Sequence, residues 1–112
     1  MLAGLANPIT AQALLVMHRE VAHDWTVSSL AKHCGVSRSK FATVFPKVVG
    51  RGPIEYLLRW RMALAKDELR RGTQSISEIA FSVGFQSASA FSTAFSRVVG
   101  CSPKRYALSV RS

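Results

Sequence analysis

Two cysteines and three histidines are the residues of this 112-residue chain best suited to nucleophilic or metal chemistry. Cys34 and Cys101 form no C-x-x-C motif, and His18, His23 and His33 form no paired-ligand pattern. The sequence also contains no recognisable Ser-His-Asp set, phosphate-binding loop or carboxylate pair. We therefore interpret these five residues as ordinary core or surface residues, and we expect no enzymatic activity, no metal and no cofactor.

The remaining chemistry is that of a cation. Fifteen Lys and Arg against six Asp and Glu give a net charge of +9, which favours a polyanionic partner. Nucleic acid fits better than a membrane, because no stretch sets its basic residues opposite bulky apolar ones. The longest apolar stretch is too short to span a bilayer, and the features of a signal peptide are missing. We expect a cytoplasmic protein with reduced thiols.

The elements that position these cations are duplicated. Between Phe41 and Tyr56, eight residues recur at a spacing of 50, and upstream of them three recur at a spacing of 49. The one-residue slip falls between a glycine and a phenylalanine, where a loop can absorb it. The repeated residues are Phe41/Phe91, Thr43/Thr93, Phe45/Phe95, Val48/Val98, Val49/Val99, Gly50/Gly100, Pro53/Pro103 and Tyr56/Tyr106, preceded by Leu30/Ile79, Ala31/Ala80 and Gly35/Gly84.

Apolar periodicity and capping signals predict an all-α fold of about seven helices. Thr26 and Ser37 are placed to cap the second and third helices, and Ser75 with Glu78 forms a capping box for the fifth. We predict no β-strand. The predicted helices are 8–22, 27–34, 38–49, 53–71, 76–83, 87–99 and a short helix from 103 to about 106, with 109–112 frayed.

The fourth predicted helix carries two apolar stripes about 130° apart on the helical wheel. A helix packed on a single core needs only one stripe, so we interpret it as a connector between two small subdomains. The predicted organisation is a first subdomain at 1–52, a connecting helix at 53–71 and a second subdomain at 72–112. One stripe comprises Ile54, Leu58, Met62, Ala65 and Leu69, and the other Leu57, Trp60 and Leu64.

Each half has the features of a helix-turn-helix. Leu30-Ala31 and Ile79-Ala80 supply an apolar contact beside a small residue, where two helices approach closely. A glycine follows at each turn, and a Phe pair at i, i+4 buries one face of the next helix. The opposite face is then presented outward. Helical hairpins of this kind also build protein-interaction bundles, which remain an alternative that leaves the charge of +9 unexplained.

Pro46 lies inside the predicted third helix, where it removes a backbone donor. The sequence leaves two outcomes open. The helix either stops near Phe45 and resumes, or it continues with a bend.

These residues resemble the C-terminal DNA-binding domain of the AraC/XylS family of bacterial transcription regulators, over essentially the whole chain. The opening Asn7-Pro8 to His18, followed by Trp25-Thr26-Val27, resembles the subgroup with a cupin-like N-terminal domain. The matching residues are Trp25-Thr26, Leu30-Ala31, Gly35 to Ser39, Phe41, Phe45, Gly50, Pro53, Tyr56, Trp60 to Met62, Ala65, Leu69, Ile76, Ile79-Ala80, Val83 to Phe85, Phe91, Phe95, Gly100, Ser102-Pro103 and Tyr106.

The resemblance implies sequence-specific binding of double-stranded DNA for transcription regulation, by two homeodomain-like helix-turn-helix units joined by a long helix. The recognition helices, about 38–48 and 87–99, would enter successive major grooves. Most family members carry a further effector or dimerisation domain and work with RNA polymerase, so we expect a fragment or a stand-alone member. The same helix pair also occurs in alkylated-DNA repair methyltransferases, which are the enzymatic alternative.

The resemblance also assigns residues to DNA. Many members carry Arg, Gln or Trp at some base-contact positions, whereas this chain has only small side chains there. We interpret Arg61, Trp25 and Trp60 as structural. The expected base-reading residues are Ser39, Ala42, Thr43, Ala88, Ser89, Ser92 and Thr93, and the expected contacts to phosphate or from a helix N-terminus are Arg38, Lys40, Lys47, Arg51, Ser87, Arg97 and Lys104.

Overall fold

The computed structural model describes residues 7–111, which form seven α-helices and no β-strand, as the sequence predicts. The chain divides into two compact units, the first ending at Leu58 and the second beginning at Arg59, within the long fourth helix. Across residues 7–111 no helix is long and apolar enough to cross a membrane. The helices are α1 Pro8–Arg19, α2 Val27–His33, α3 Arg38–Val49, α4 Pro53–Arg71, α5 Ile76–Ser82, α6 Ala88–Val99 and α7 Pro103–Arg111.

Short-range capping fixes where the helices begin. The Thr26 hydroxyl accepts from the Ser29 amide at 3.0 Å, while the Ser29 hydroxyl accepts from the Thr26 amide at 2.9 Å. The predicted Ser75–Glu78 capping box forms in the same way, with distances of 3.1 and 2.8 Å. Each pair satisfies amides that the first helical turn leaves without partners. The predicted starts of α2 and α5 are therefore confirmed.

Long-range contacts shift two helix ends from the predicted positions. Helix α1 ends at Arg19 rather than 22, because the chain turns at Glu20, whose carbonyl accepts from the indole of Trp25 at 2.9 Å. Helix α7 continues to Arg111, so the predicted fraying of 109–111 is wrong, and residue 112 lies outside the described residues. The Arg111 guanidinium donates to the Leu69 carbonyl at 2.7 and 3.1 Å, which ties the end of α7 to the last turn of α4.

Helix α3 passes through Pro46 without interruption and ends at Gly50, whose left-handed backbone (φ 93°) closes it. Of the two outcomes left open by the sequence, the stop near Phe45 is therefore excluded. Proline at 46 provides no N–H for the carbonyl of Ala42, one turn earlier. Ala42 is exposed, so water can hydrate that carbonyl and reduce the cost of the missing bond.

The core of unit 1 lies between α1, α2 and α3. Met17, Leu30, Phe41 and Phe45 are fully buried in it, and Leu57 from the start of α4 joins the same cluster. The Phe41 and Phe45 rings are 5.5 Å apart, and Tyr56 meets Phe45 edge-on at 6.0 Å. Packing of this kind buries one side of α3 and leaves the other side exposed.

Unit 2 repeats this arrangement with equivalent residues. Phe91 and Phe95 are fully buried with centroids 5.6 Å apart, and Tyr106 meets Phe95 at 5.7 Å. Phe85 adds a further edge contact to Phe91 at 5.6 Å, where unit 1 has the smaller Val36. The sequence repeat is thus a repeat of two aromatic cores.

The two predicted stripes of α4 are only partly buried. Met62, Ala65 and Leu69 are buried, as is Leu57 of the second stripe. Ile54, predicted in the first stripe, is 45% exposed, so its assignment to the core is wrong. Near the start of the helix, the buried apolar residue is Leu57 of the second stripe. The other predicted stripe residues, Leu58, Trp60 and Leu64, are half-buried.

Candidate nucleic-acid interface

The outward side of α3 carries small side chains. Ser39, Ala42 and Thr43, the predicted base-reading residues of unit 1, are all exposed. The Thr43 hydroxyl donates to the Ser39 carbonyl at 2.9 Å, which leaves its methyl group and oxygen lone pairs for an outside partner. This surface offers hydroxyl and methyl groups to a ligand and no long side chain.

Cations surround this surface. Arg38 and Lys40 lie in the first turn of α3, Lys47 lies in its last turn, and Arg51 follows the helix; all four side chains are exposed. Lys and Arg bind phosphate oxygens at a DNA surface and fix the orientation of the protein there. The four predicted phosphate contacts of unit 1 are thus accessible on or beside a single helix.

Helix α6 presents a similar surface with fewer charges. Ser89 and Thr93 are exposed, whereas Ala88 and Ser92 are half-buried. Arg97 on α6 and Lys104 on α7 are exposed, as predicted phosphate contacts must be. Ser87 serves as the N-cap of α6, and its hydroxyl accepts from the Ala90 amide at 3.0 Å. The hydroxyl hydrogen of Ser87 remains available for an anion.

The turns before α3 and α6 begin alike. The Val36 amide donates to the Ala31 carbonyl at 3.1 Å, and the Phe85 amide donates to the Ala80 carbonyl at 2.9 Å. The preceding glycines, Gly35 and Gly84, both have positive φ, at 71° and 100°. These matching residues keep the spacing of 49 that the upstream half of the repeat shows.

The two turns then differ by one residue. Ser37 follows Val36 directly and caps α3 by accepting from the Lys40 amide at 3.1 Å. In unit 2 the corresponding cap is Ser87, and exposed Gln86 stands between Phe85 and this cap. Gln86 is therefore the residue that changes the spacing from 49 to 50. The sequence repeat shows the slip but does not by itself mark Gln86 as a candidate contact.

The two repeated tyrosines have different partners. In unit 1 the hydroxyl of Tyr56 is 2.7 Å from Nε2 of His18, and burial lowers the pKa of His18 and raises the pKa of Tyr56. In unit 2 the Tyr106 hydroxyl accepts from Arg70 at 3.1 Å, and Arg70 also pairs with Asp67 at 2.8 Å. These contacts hold helices together within each unit.

Cys34 has the surroundings of a structural thiol. Its Sγ is 3.6 Å from the Ile9 carbonyl, and burial raises the pKa of the thiol. A raised pKa disfavours the thiolate, which is the nucleophilic form. Across residues 7–111 the structure contains no cluster of His, Cys, Asp and Glu that could hold a metal ion.

Arg61 and Trp25 have structural contacts. The Arg61 guanidinium lies over the ring of Phe85, 5.9 Å from the centroid. Trp25 packs against the unit 1 core and donates to Glu20. Trp60 is half-buried on α4.

Comparison with known proteins identifies this architecture. A family model described as a helix-turn-helix domain matches residues 30–109. A protein of Streptomyces antibioticus whose name describes it as an AraC-like transcription regulator is 51% identical over 105 residues. The chain belongs to the AraC-type helix-turn-helix family. The alignment covers 94% of this chain but only 35% of that relative, so the chain spans about a third of its length.

Two solved structures share the fold. The DNA-binding domain of AdpA, a global transcriptional factor solved in complex with a target DNA, superposes with a TM-score of 0.87 at 28% identity, covering 94% of each chain. The C-terminal domain of AraT, a response regulator from Geobacillus stearothermophilus, gives a TM-score of 0.89 at 30% identity. That match covers 92% of this chain and 86% of the other.

Proposed function

We propose that this AraC-type domain binds double-stranded DNA sequence-specifically and thereby regulates transcription. The observation that carries the proposal is the exposed surface of α3, where small polar side chains are framed by Arg38, Lys40 and Lys47. A surface of this kind can approach base edges while its cations neutralise the adjacent phosphates. The AdpA domain, which shares the fold, is described in complex with its target DNA.

We propose that α3 and α6 are the two recognition helices and that they enter successive major-groove segments. Bases would be read by the small side chains on their exposed faces, and phosphates by the surrounding cations. Ser and Thr hydroxyls bind acceptors in the groove, while Ala and Thr methyl groups contact the thymine methyl. The base-reading residues would be Ser39, Ala42, Thr43, Ala88, Ser89, Ser92 and Thr93, and the phosphate contacts Arg38, Lys40, Lys47, Arg51, Ser87, Arg97 and Lys104.

The wider context is also a proposal. The relative from S. antibioticus is about three times as long as the matched segment, which supports a further effector or dimerisation domain in the full-length context. RNA polymerase is the partner we expect there, and the cytoplasm is the compartment in which both meet DNA. The chain acts by binding rather than by catalysis, and the raised pKa of Cys34 argues against a methyltransferase that needs a thiolate.

Salt dependence provides the first test. If roughly six to eight of the fifteen Lys and Arg meet phosphates, the log–log slope of affinity against salt should be about −5 to −7. Fluorescence anisotropy with mixed-sequence duplex DNA between about 50 and 200 mM salt measures it. A slope near zero, or no binding at low salt, would overturn the proposal. Incubation with methylated DNA should transfer no alkyl group to Cys34 or Cys101.

Arg38→Ala separates a positioning role from a reading role. Because Arg38 is expected to bind phosphate, its loss should weaken binding to all sequences alike and reduce the slope by about one. Arg71→Ala is the control, since Arg71 is an exposed cation at the end of α4 and outside both recognition helices. Loss of discrimination at a single guanine with an unchanged slope would instead make Arg38 a base-reading residue.

A further inference from the structure

The two recognition helices differ in the chemistry of their first turns. Arg38 and Lys40 occupy the first turn of α3, whereas the equivalent residues of α6, at a spacing of 50, are Ala88 and Ala90. The extra residue in the turn before α6, Gln86, is exposed. The first turn of α6 therefore carries no cation, and a neutral amide side chain stands immediately before its N-cap.

This difference matters because the N-terminal residues of a recognition helix contact base edges in helix-turn-helix proteins. A cation that binds a phosphate there positions the helix and carries no sequence information directly. A glutamine amide offers one acceptor and two donors in a plane, which matches the N7 acceptor and the N6 donor of adenine. Hydroxyl and methyl side chains cannot form this two-point contact.

We propose that Gln86 reads one adenine–thymine base pair in the major groove and is the main specificity-determining residue of the second unit. The inference rests on the proposed DNA binding and deepens it. Unit 1, with its four exposed cations along and beside α3, supplies mainly phosphate attraction. Unit 2 supplies mainly discrimination, through an amide that the extra turn residue places immediately before the cap of α6.

The chain contains a matched control. Gln74 precedes Ser75, the N-cap of α5, just as Gln86 precedes Ser87, the N-cap of α6, and both glutamines are exposed. Helix α5 is the first helix of its pair, so Gln74 should not reach base edges. Gln86→Ala and Gln74→Ala therefore make the same chemical change in the same local setting, and only one of them should alter sequence preference.

The experiment selects binding sites from a pool of random-sequence duplexes with the unaltered chain and then measures affinities for the consensus and for each single-pair substitution. With Gln86→Ala, we expect about a five- to tenfold loss of preference at one adenine–thymine pair and unchanged salt dependence. With Gln86→Glu, which retains only acceptors, the preference at that pair should move toward cytosine, whose N4 group donates. With Gln74→Ala, the preferences should equal those of the unaltered chain.

The outcomes separate the inference from the proposed function. If the unaltered chain binds no duplex at low salt, the proposed function fails and the inference with it. If it selects a site and Gln86→Ala prefers the same bases by the same ratios, only the inference is overturned. The inference is also overturned if Gln74→Ala loses the same preference, because the effect would then not be local to α6. Thermal unfolding by circular dichroism, expected to be unchanged, confirms that each variant is folded.

Discussion

Thr43 shows how a single side chain narrows the possible modes of base reading. Its hydroxyl donates to the Ser39 carbonyl at 2.9 Å, so the hydroxyl hydrogen cannot also be donated to an acceptor on a base. The methyl group and the oxygen lone pairs remain. The oxygen can accept only from a base donor such as adenine N6, and in the proposed interface we expect the methyl group to contact a thymine methyl.

A pair of substitutions tests this contact. Thr43→Val keeps a methyl group in the same place and removes the hydroxyl, so preference for thymine at the affected pair should persist. Thr43→Ser keeps the hydroxyl and removes the methyl, which should cost about 0.8 kcal/mol at that pair. Affinities for duplexes carrying thymine or deoxyuridine there measure the effect. Retention of the preference in Thr43→Ser and loss in Thr43→Val would assign the reading to the hydroxyl.

At the residue scale, the sequence predicted which side chains are exposed better than it predicted which hydrogen bonds they form. The helical period places Ser39, Ala42 and Thr43 opposite the buried Phe41 and Phe45, and the structure shows all three exposed. The bond from Thr43 back to Ser39 depends on a rotamer choice that no spacing encodes. The repeat does not mark Gln86, because this residue has no equivalent in the first unit.

At the scale of elements, helix starts set by a local cap and helix ends set by a glycine followed from the sequence, whereas the ends of α1 and α7 did not. A start is set by a cap within three residues, as at Thr26 and Ser75, so local sequence is sufficient. The ends of α1 and α7 depend on Trp25 and Arg111, which act on carbonyls five and 42 residues away along the chain. Contacts of that separation are known only once the fold is known.

Pro46 and its counterpart Ser96 allow a reciprocal test of helix energetics. Proline inside a helix costs about 3 kcal/mol relative to alanine. Proline also restricts the unfolded chain, which offsets up to about 1 kcal/mol of that cost. Pro46→Ser should therefore stabilise the domain by about 1–2 kcal/mol, because the amide at 46 can then donate to the Ala42 carbonyl.

The reverse change in α6 should act in the opposite direction. Ser96→Pro removes an amide from a helix that has no proline and brings the ring against the preceding turn, so it should destabilise the domain by about 3 kcal/mol. Urea unfolding followed by circular dichroism measures both changes as shifts of the midpoint at constant slope. An unchanged or lower midpoint for Pro46→Ser would show that the proline ring contributes packing that compensates for the missing bond.

At the scale of the whole molecule, the presence of two recognition helices in one chain leads to a prediction about stoichiometry. A protein with a single helix-turn-helix commonly dimerises on a palindromic site, whereas this chain carries both proposed recognition helices itself. We therefore expect one copy to protect two separate major-groove segments of an asymmetric site. Hydroxyl-radical footprinting together with a measurement of the mass of the complex tests this. A single protected segment, or an obligate two-fold site bound by two copies, would contradict the prediction.

At this scale, the sequence showed the duplication most clearly. Two similar cores need similar residue types at the same spacing, and such a repeat can be read directly from the sequence. The sequence did not indicate which stripe residues of α4 would be buried. Ile54 matches the apolar pattern of the helix and is 45% exposed, while Leu57 is only 3% exposed. Near the first turn of a helix, the position of the neighbouring elements rather than the wheel decides which apolar side chain is covered.

The spacing of 50 residues also means that removal of residues 42–91 would restore the sequence pattern of a single unit. Recombination between the codons for Phe41 and Phe91 would delete the intervening segment in frame and join the first turn of α3 to the rest of α6. The hybrid helix would keep a Phe pair at i, i+4 and end at a left-handed glycine, as both parents do. Tyr106 would follow at the distance that Tyr56 has in the original chain. The duplication thus leaves open a one-step return to a single module with the first-turn cations of α3, Arg38 and Lys40, and the C-terminal helix of the second unit.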